Sequence, residues 1–154
     1  MWNYERRLQF PVNIKEPNAK LAQVIMSQYG GPDGEMGASM RYLSQRYATP
    51  YREVAGLMTD IGTEELAHLE MVATIVHQLT RNLSMEEIEA SGLAPYYTDH
   101  TVGIWPQAAG GIPFNACEFQ SKGDIITDLV EDMAADGTTA KEQPGFLWDR
   151  KPLI

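Results

Sequence analysis

The chain has one cysteine, Cys117, so an internal disulfide is excluded and no oxidising compartment is required. It is short of positive charge. Twelve Lys and Arg stand against 21 Asp and Glu, a formal charge of -9, and the basic residues are scattered. Phosphate recognition needs them clustered, which argues against a nucleic-acid partner. It also lacks a long apolar run, so no membrane span is expected. The opening residues Met1 to Arg7 do not pair a basic segment with an apolar one, so no secretory signal is expected and synthesis in the cytoplasm follows. Only three histidines are present, His68, His77 and His100.

A length of 154 residues suits one domain, and 44% hydrophobic content is enough for a core. Pro11 and Pro17 mark an extended N-terminal arm, with a helix starting near Pro17 and carrying Leu21, Val24, Ile25 and Gln28 on one side. Gly30-Gly31-Pro32-Asp33-Gly34 interrupts it. Helical spacing resumes from Glu35 to Tyr47 with Met36, Met40, Leu43 and Tyr47 as its apolar stripe. A long central helix is predicted from Tyr51 to Asn82. Ser84-Met85-Glu86-Glu87 is a capping box opening a short helix that Gly92 ends. Ala94 to Ser121 is rich in Gly, Pro and aromatic residues and reads as a long connection rather than strands. A third substantial helix is predicted from Gly123 to Asp136, with Ile126, Val130 and Met133 as its stripe and a stop at Gly137-Thr138-Thr139.

The chemistry sits in the central helix. Val54, Met58, Ile61, Glu65, His68, Val72, Ile75 and Leu79 follow one another at steps of four and three, so a carboxylate and an imidazole occupy an otherwise apolar seam. A buried charge needs a partner or a metal. Glu65 and His68 lie one turn apart on one face, and a cation fits the point they share. Glu64 falls off the seam and His77 opposite it. Glu35 and Glu131 add one candidate acidic ligand from each of two other helices, although Glu131 belongs to an acidic run with Asp124, Asp128 and Asp132 of the kind that is usually solvated. Carboxylates with imidazole suit manganese, iron or zinc. In four-helix di-iron and di-manganese proteins two helices give a Glu each and two give a Glu-x-x-His pair; the second pair is missing here. The glycine-rich Gly30 to Gly34 segment lacks the Lys-Ser/Thr ending of a phosphate loop, and Cys117 has no identifiable base.

Three segments carry a family resemblance. Gln28-Tyr29-Gly30-Gly31-Pro32-Asp33-Gly34-Glu35, Asp60-Ile61-Gly62-Thr63-Glu64-Glu65-Leu66-Ala67-His68-Leu69-Glu70 and Asp128-Leu129-Val130-Glu131-Asp132-Met133-Ala134-Ala135-Asp136 together resemble the manganese catalases, above all their spore-coat members in endospore-forming bacteria. The resemblance covers Trp2 to Asp136. It implies an all-α, ferritin-like bundle and a dimanganese centre that disproportionates hydrogen peroxide. It also implies that Glu35 is a terminal carboxylate on one manganese, Glu65 the bridging carboxylate, His68 the imidazole on the first ion and Glu131 the terminal carboxylate on the second. The family's fourth helix, with its second His, has no counterpart in Gly137 to Ile154. The expectation is therefore an incomplete bundle: a domain over residues 1–136, and an irregular tail over 137–154 left by truncation or a frameshift. Two functions stand open. One is a dimanganese catalase-like protein of the spore coat; the other is a catalytically inactive structural coat protein or non-catalytic metal-binding module. Unpartnered helix faces imply a homo-oligomer or association with other coat proteins.

Overall fold

The computed structural model describes residues 4–96, 107, 111–119 and 121–142, the last six through their backbone alone. Five helices make the fold: α1 (Ala19–Gly30), α2 (Glu35–Gln45), α3 (Arg52–Thr80), α4 (Met85–Ser91) and α5 (Ile125–Glu142). The architecture is an all-α bundle of the ferritin-like kind. Among the described residues, no helix is long and apolar enough to cross a membrane. The described parts of the long connection hold two short 3-10 turns and one isolated bridge between Gln107 and Pro113.

The long helix α3 is the axis. Every position of its four-three seam is buried or half-buried, and Met58, Val72, Ile75 and Leu79 are fully buried. Its C-terminal half packs with Ala22, Ile25 and Met26 of α1, Ile88 of α4, Leu93 and Tyr96 into one apolar core. Its N-terminal half meets α2 closely enough that a Cβ on Gly62 would stand 2.8 Å from the Leu43 side chain, and Ser39 donates to the Gly62 carbonyl at 2.7 Å. The N-terminal arm runs beside α3. Gln78 accepts from the Ile14 amide at 2.6 Å and donates to the Val12 carbonyl at 3.0 Å, and Arg81 holds the Ile14 carbonyl at 2.7 Å.

Local chemistry sets the ends. The capping box at Ser84 forms in both directions, Glu87 amide to Ser84 hydroxyl at 3.2 Å and Ser84 amide to Glu87 carboxylate at 2.7 Å. Gly92 closes α4 in the left-handed region at φ 77°. The first helix starts two residues after Pro17, because Asn18 caps it by accepting from the Leu21 amide at 3.0 Å. At the other end of the chain, α5 runs through Gly137 to Glu142 instead of stopping there. One glycine inside a helix costs about 1 kcal/mol relative to alanine, too little to end it.

The inward faces of three helices differ from the apolar stripes expected. Ala22, Ile25 and Met26 of α1 are buried while Val24 is 52% exposed. In α2 the buried side chains are Glu35, Ser39, Arg41, Tyr42 and Gln45, with Met40 and Tyr47 outside. In α5 Asp128 and Asp132 are buried and Ile126, Val130 and Met133 face outward. This predicts opposite sensitivities. Leu79→Ala, which empties a packed site, is expected to cost about 2–5 kcal/mol in denaturant unfolding, whereas Met133→Lys should change stability by less than about 0.5 kcal/mol. A large loss for Met133→Lys, measured at a concentration where the chain is monomeric, would show that α5 turns its apolar side inward.

Candidate metal centre

The Gly30 to Gly34 turn delivers Glu35. A Cβ on Gly34 would come within 2.6 Å of the Ser27 carbonyl oxygen, and one on Gly37 would collide with the Pro32 carbonyl. The turn therefore closes tightly and makes Glu35 the first residue of α2, capped by Gly34. There Glu35 is 9% exposed and faces α3. Its Oε2 lies 3.6 Å from His68 Nδ1, and Glu65 Oε2 lies 2.7 Å from the same nitrogen. One ligand atom from each of the three residues falls within 4.8 Å of the others, the one such cluster of three or more among the described residues.

The cluster's protonation shows strain that a cation would relieve. Hydrogen bonding to Glu35 and Glu65 raises the His68 pKa to about 10 against the pull of burial. Burial raises Glu35 to about 7. Burial also pushes Glu65 upward, but its contacts with His68 and Glu35 outweigh that and leave it below the usual carboxylate range. Protons on His68 and Glu35 therefore compete with a divalent cation for the same ligand atoms. An imidazole and two carboxylates converging on one point fit a borderline or oxygen-loving divalent ion such as manganese, with coordination positions left open.

The fourth expected ligand stands beside Arg41. Glu131 is not part of the cluster; its Oε1 stands 3.0 Å from Nε of Arg41, while its Oε2 is buried without a hydrogen-bond partner. Glu64 is 55% exposed and 4.0 Å from His68 Nε2. His77 is exposed, Cys117 is exposed, and His100 lies outside the described residues. The acids of α5 are not a solvated run. Asp128 accepts from the Lys122 amide at 2.6 Å and the Gly123 amide at 3.0 Å, closing the turn before α5. Asp132 accepts from Gln45 at 3.0 Å, and burial raises its pKa to about 6. Tyr42 donates to Asp136 at 2.9 Å. Arg41, Tyr42, Gln45 and Asp132 were missed by sequence reasoning, although Glu35, Ser39, Tyr42 and Gln45 recur at helical spacing and Asp128, Asp132 and Ala135 do the same.

The profile of the family described as manganese containing catalase matches residues 1–149. The chain belongs to that family. It is similar to Protein CotJC of Bacillus subtilis, 49% identical over 136 residues, which cover 88% of this chain and 71% of that protein. A probable manganese catalase of Clostridium acetobutylicum is 31% identical over 147 residues, covering 88% and 61%. The crystal structure of KatB, a manganese catalase from Anabaena, superposes with a TM-score of 0.81 at 26% identity, over 92% of this chain and 64% of KatB. The chain thus spans less than two thirds of the catalases it matches.

The protonation pattern yields a test. Glu35 and His68 bind protons more tightly folded than at their ordinary values of 4.5 and 6.5, so the stability they contribute is complete in acid. It is lost from pH 4.5 toward 7 for Glu35 and from 6.5 toward about 10 for His68. Glu65 acts in the opposite sense, below its ordinary value. Melting in chelator is therefore expected to fall as pH rises above 6.5, while manganese affinity rises over the same range and binding releases protons into a weak buffer. Proton-free binding, or affinity unchanged with pH, would contradict the protonated His68.

Proposed function

We propose that this chain is a metal-binding, structural member of the manganese catalase family located in the spore coat, holding a divalent cation, manganese by family, through Glu35, Glu65 and His68. The observation that carries this is the convergence of those three side chains, and only those three, on one point among the described residues. Kinship with CotJC and the likeness to spore-coat members of the family support the location. The outward apolar stripe of α5, 62–74% exposed, supports homo-association as the way such a layer is built. In this role the cation crosslinks α2 to α3, replacing the protons that otherwise hold two carboxylates beside an imidazole.

The second reading is peroxide disproportionation, 2 H2O2 to 2 H2O and O2. Family membership and the KatB superposition favour it. A manganese pair, when bound, supplies two-electron cycling for that reaction. The chain's own contribution would be the enclosure that holds one ligand atom each from Glu35, Glu65 and His68 within 4.8 Å of one another. Glu131 enters this reading as the terminal carboxylate of the second ion.

Manganese-loaded protein separates the two. Metal analysis after desalting is expected to show manganese retained by the wild type and lost from Glu65→Ala and His68→Ala. Oxygen release from peroxide is expected to match that of the same concentration of free manganese. Release well above that level, abolished in both variants, would establish the enzyme instead. Retention by both variants would remove the metal reading altogether.

A further inference from the structure

Among the described residues, Arg41 is a buried cation that no step above uses. It is 3% exposed and held from four sides. Its guanidinium donates to the Pro32 carbonyl, pairs with Asp33 at 3.0 Å, lies over the Phe119 ring at 4.7 Å from the centroid, and meets Glu131 Oε1 at 3.0 Å. These contacts come from the turn before α2, from the connection before α5, and from α5 itself. A guanidinium cannot shed its proton in a protein, so this is a permanent charge fixed at a permanent address.

A carboxylate as enclosed as Glu131, 14% exposed, needs a counter-charge. In a two-metal carboxylate centre a cation supplies it. Here Arg41 stands 3.0 Å from Oε1 as an ion pair without hydrogen-bond geometry, Oε2 stays buried without a partner, and the pins on the other three sides of Arg41 keep it from swinging away. A divalent ion brought to Glu131 would meet that guanidinium at close range in a low dielectric, where like charges repel far more than in water. The cluster of Glu35, Glu65 and His68 has no such fixed cation among its contacts and stays open to metal.

We propose that Arg41 takes the place of a second metal ion: its guanidinium neutralises Glu131, and the chain binds a single divalent cation, at Glu35, Glu65 and His68. This rests on the reading of those three residues as ligands. It assigns Arg41 a positioning role, fixing both the charge and the attitude of Glu131 and joining α2 to α5 without metal.

Stoichiometry tests it on the unaltered chain. Apo-protein titrated with manganese(II), with bound metal counted after desalting and its electron paramagnetic resonance recorded, is expected to take up about one equivalent with the spectrum of an isolated ion. About two equivalents, or the signature of an exchange-coupled pair, would overturn the proposal while leaving the metal reading intact. Uptake of none would remove the metal reading itself, and this inference with it. Arg41→Gln leaves Glu131 uncompensated. It is expected to melt lower than wild type in chelator and to regain part of the loss in excess manganese by binding a second equivalent. The double variant Arg41→Gln/Glu131→Gln removes both charges and is expected to melt above the single variant and return to one equivalent. The double variant and the wild-type count remain readable if Arg41→Gln does not fold. A single variant as stable as wild type, still binding one equivalent, would show that Arg41 does not stand in for a metal.

Discussion

The contact between His68 and two carboxylates, 2.7 Å to Glu65 and 3.6 Å to Glu35, sets a condition that the rest of the bundle meets. Charges taken from water must be answered by charges or hydrogen bonds of opposite kind. Once Glu35 and Glu65 are enclosed, the helices around them cannot all present apolar faces. Accordingly α2 buries Arg41, Tyr42 and Gln45, and α5 buries Asp128 and Asp132. Each new polar group then needs its own partner: Gln45 for Asp132, Tyr42 for Asp136, Arg41 for Glu131. The polar interior grows outward from the seam as a chain of such compensations.

A polar interior of this kind packs weakly unless something else holds the helices. That is supplied at the far end of α3, where Val72, Ile75, Val76 and Leu79 meet α1 and α4 in an apolar core. The two ends share one helix, so they share one rotation about its axis. Fixing Leu79 and Val72 inward fixes His68 and Glu65 inward, since all four lie on the same four-three seam. The apolar core thus pays the cost of orienting charges it never touches, and the Gly30 to Gly34 turn brings Glu35 to meet them.

This division explains what could be read from the residues. The central helix, the capping box at Ser84, the glycine break and the seam were legible because each is a local pattern: a period, a cap or a turn. So was the pairing of Glu65 with His68, one turn apart on one face, whereas Glu35 joined them only as a candidate from another helix and through the family resemblance. The inward faces of α2 and α5 were not. Apolar spacing there, Met36 to Tyr47 and Ile126 to Met133, marks faces that are half-buried or exposed, because the polar demand of the seam overrides the ordinary preference for apolar contact. The extent of α5 was misjudged for a related reason. Gly137 carries a stop signal only when no further helical turns are favoured beyond it, and a propensity cost near 1 kcal/mol does not decide that.

The pairing of Glu131 with Arg41 was illegible for a deeper reason. The family resemblance implies a metal beside Glu131, whereas the contact the structure shows is with Arg41. What decides its partner is a residue 90 positions earlier, on a helix whose buried face had been read as methionine and tyrosine. Charge compensation is a property of the assembled interior, not of any one helix. A carboxylate inherited from a metal-binding framework can therefore keep its burial while exchanging its counter-ion for a guanidinium. What changes is whether folding waits for metal. Arg41 is present in every copy of the chain from synthesis onward, so the α2 to α5 contact can form without metal.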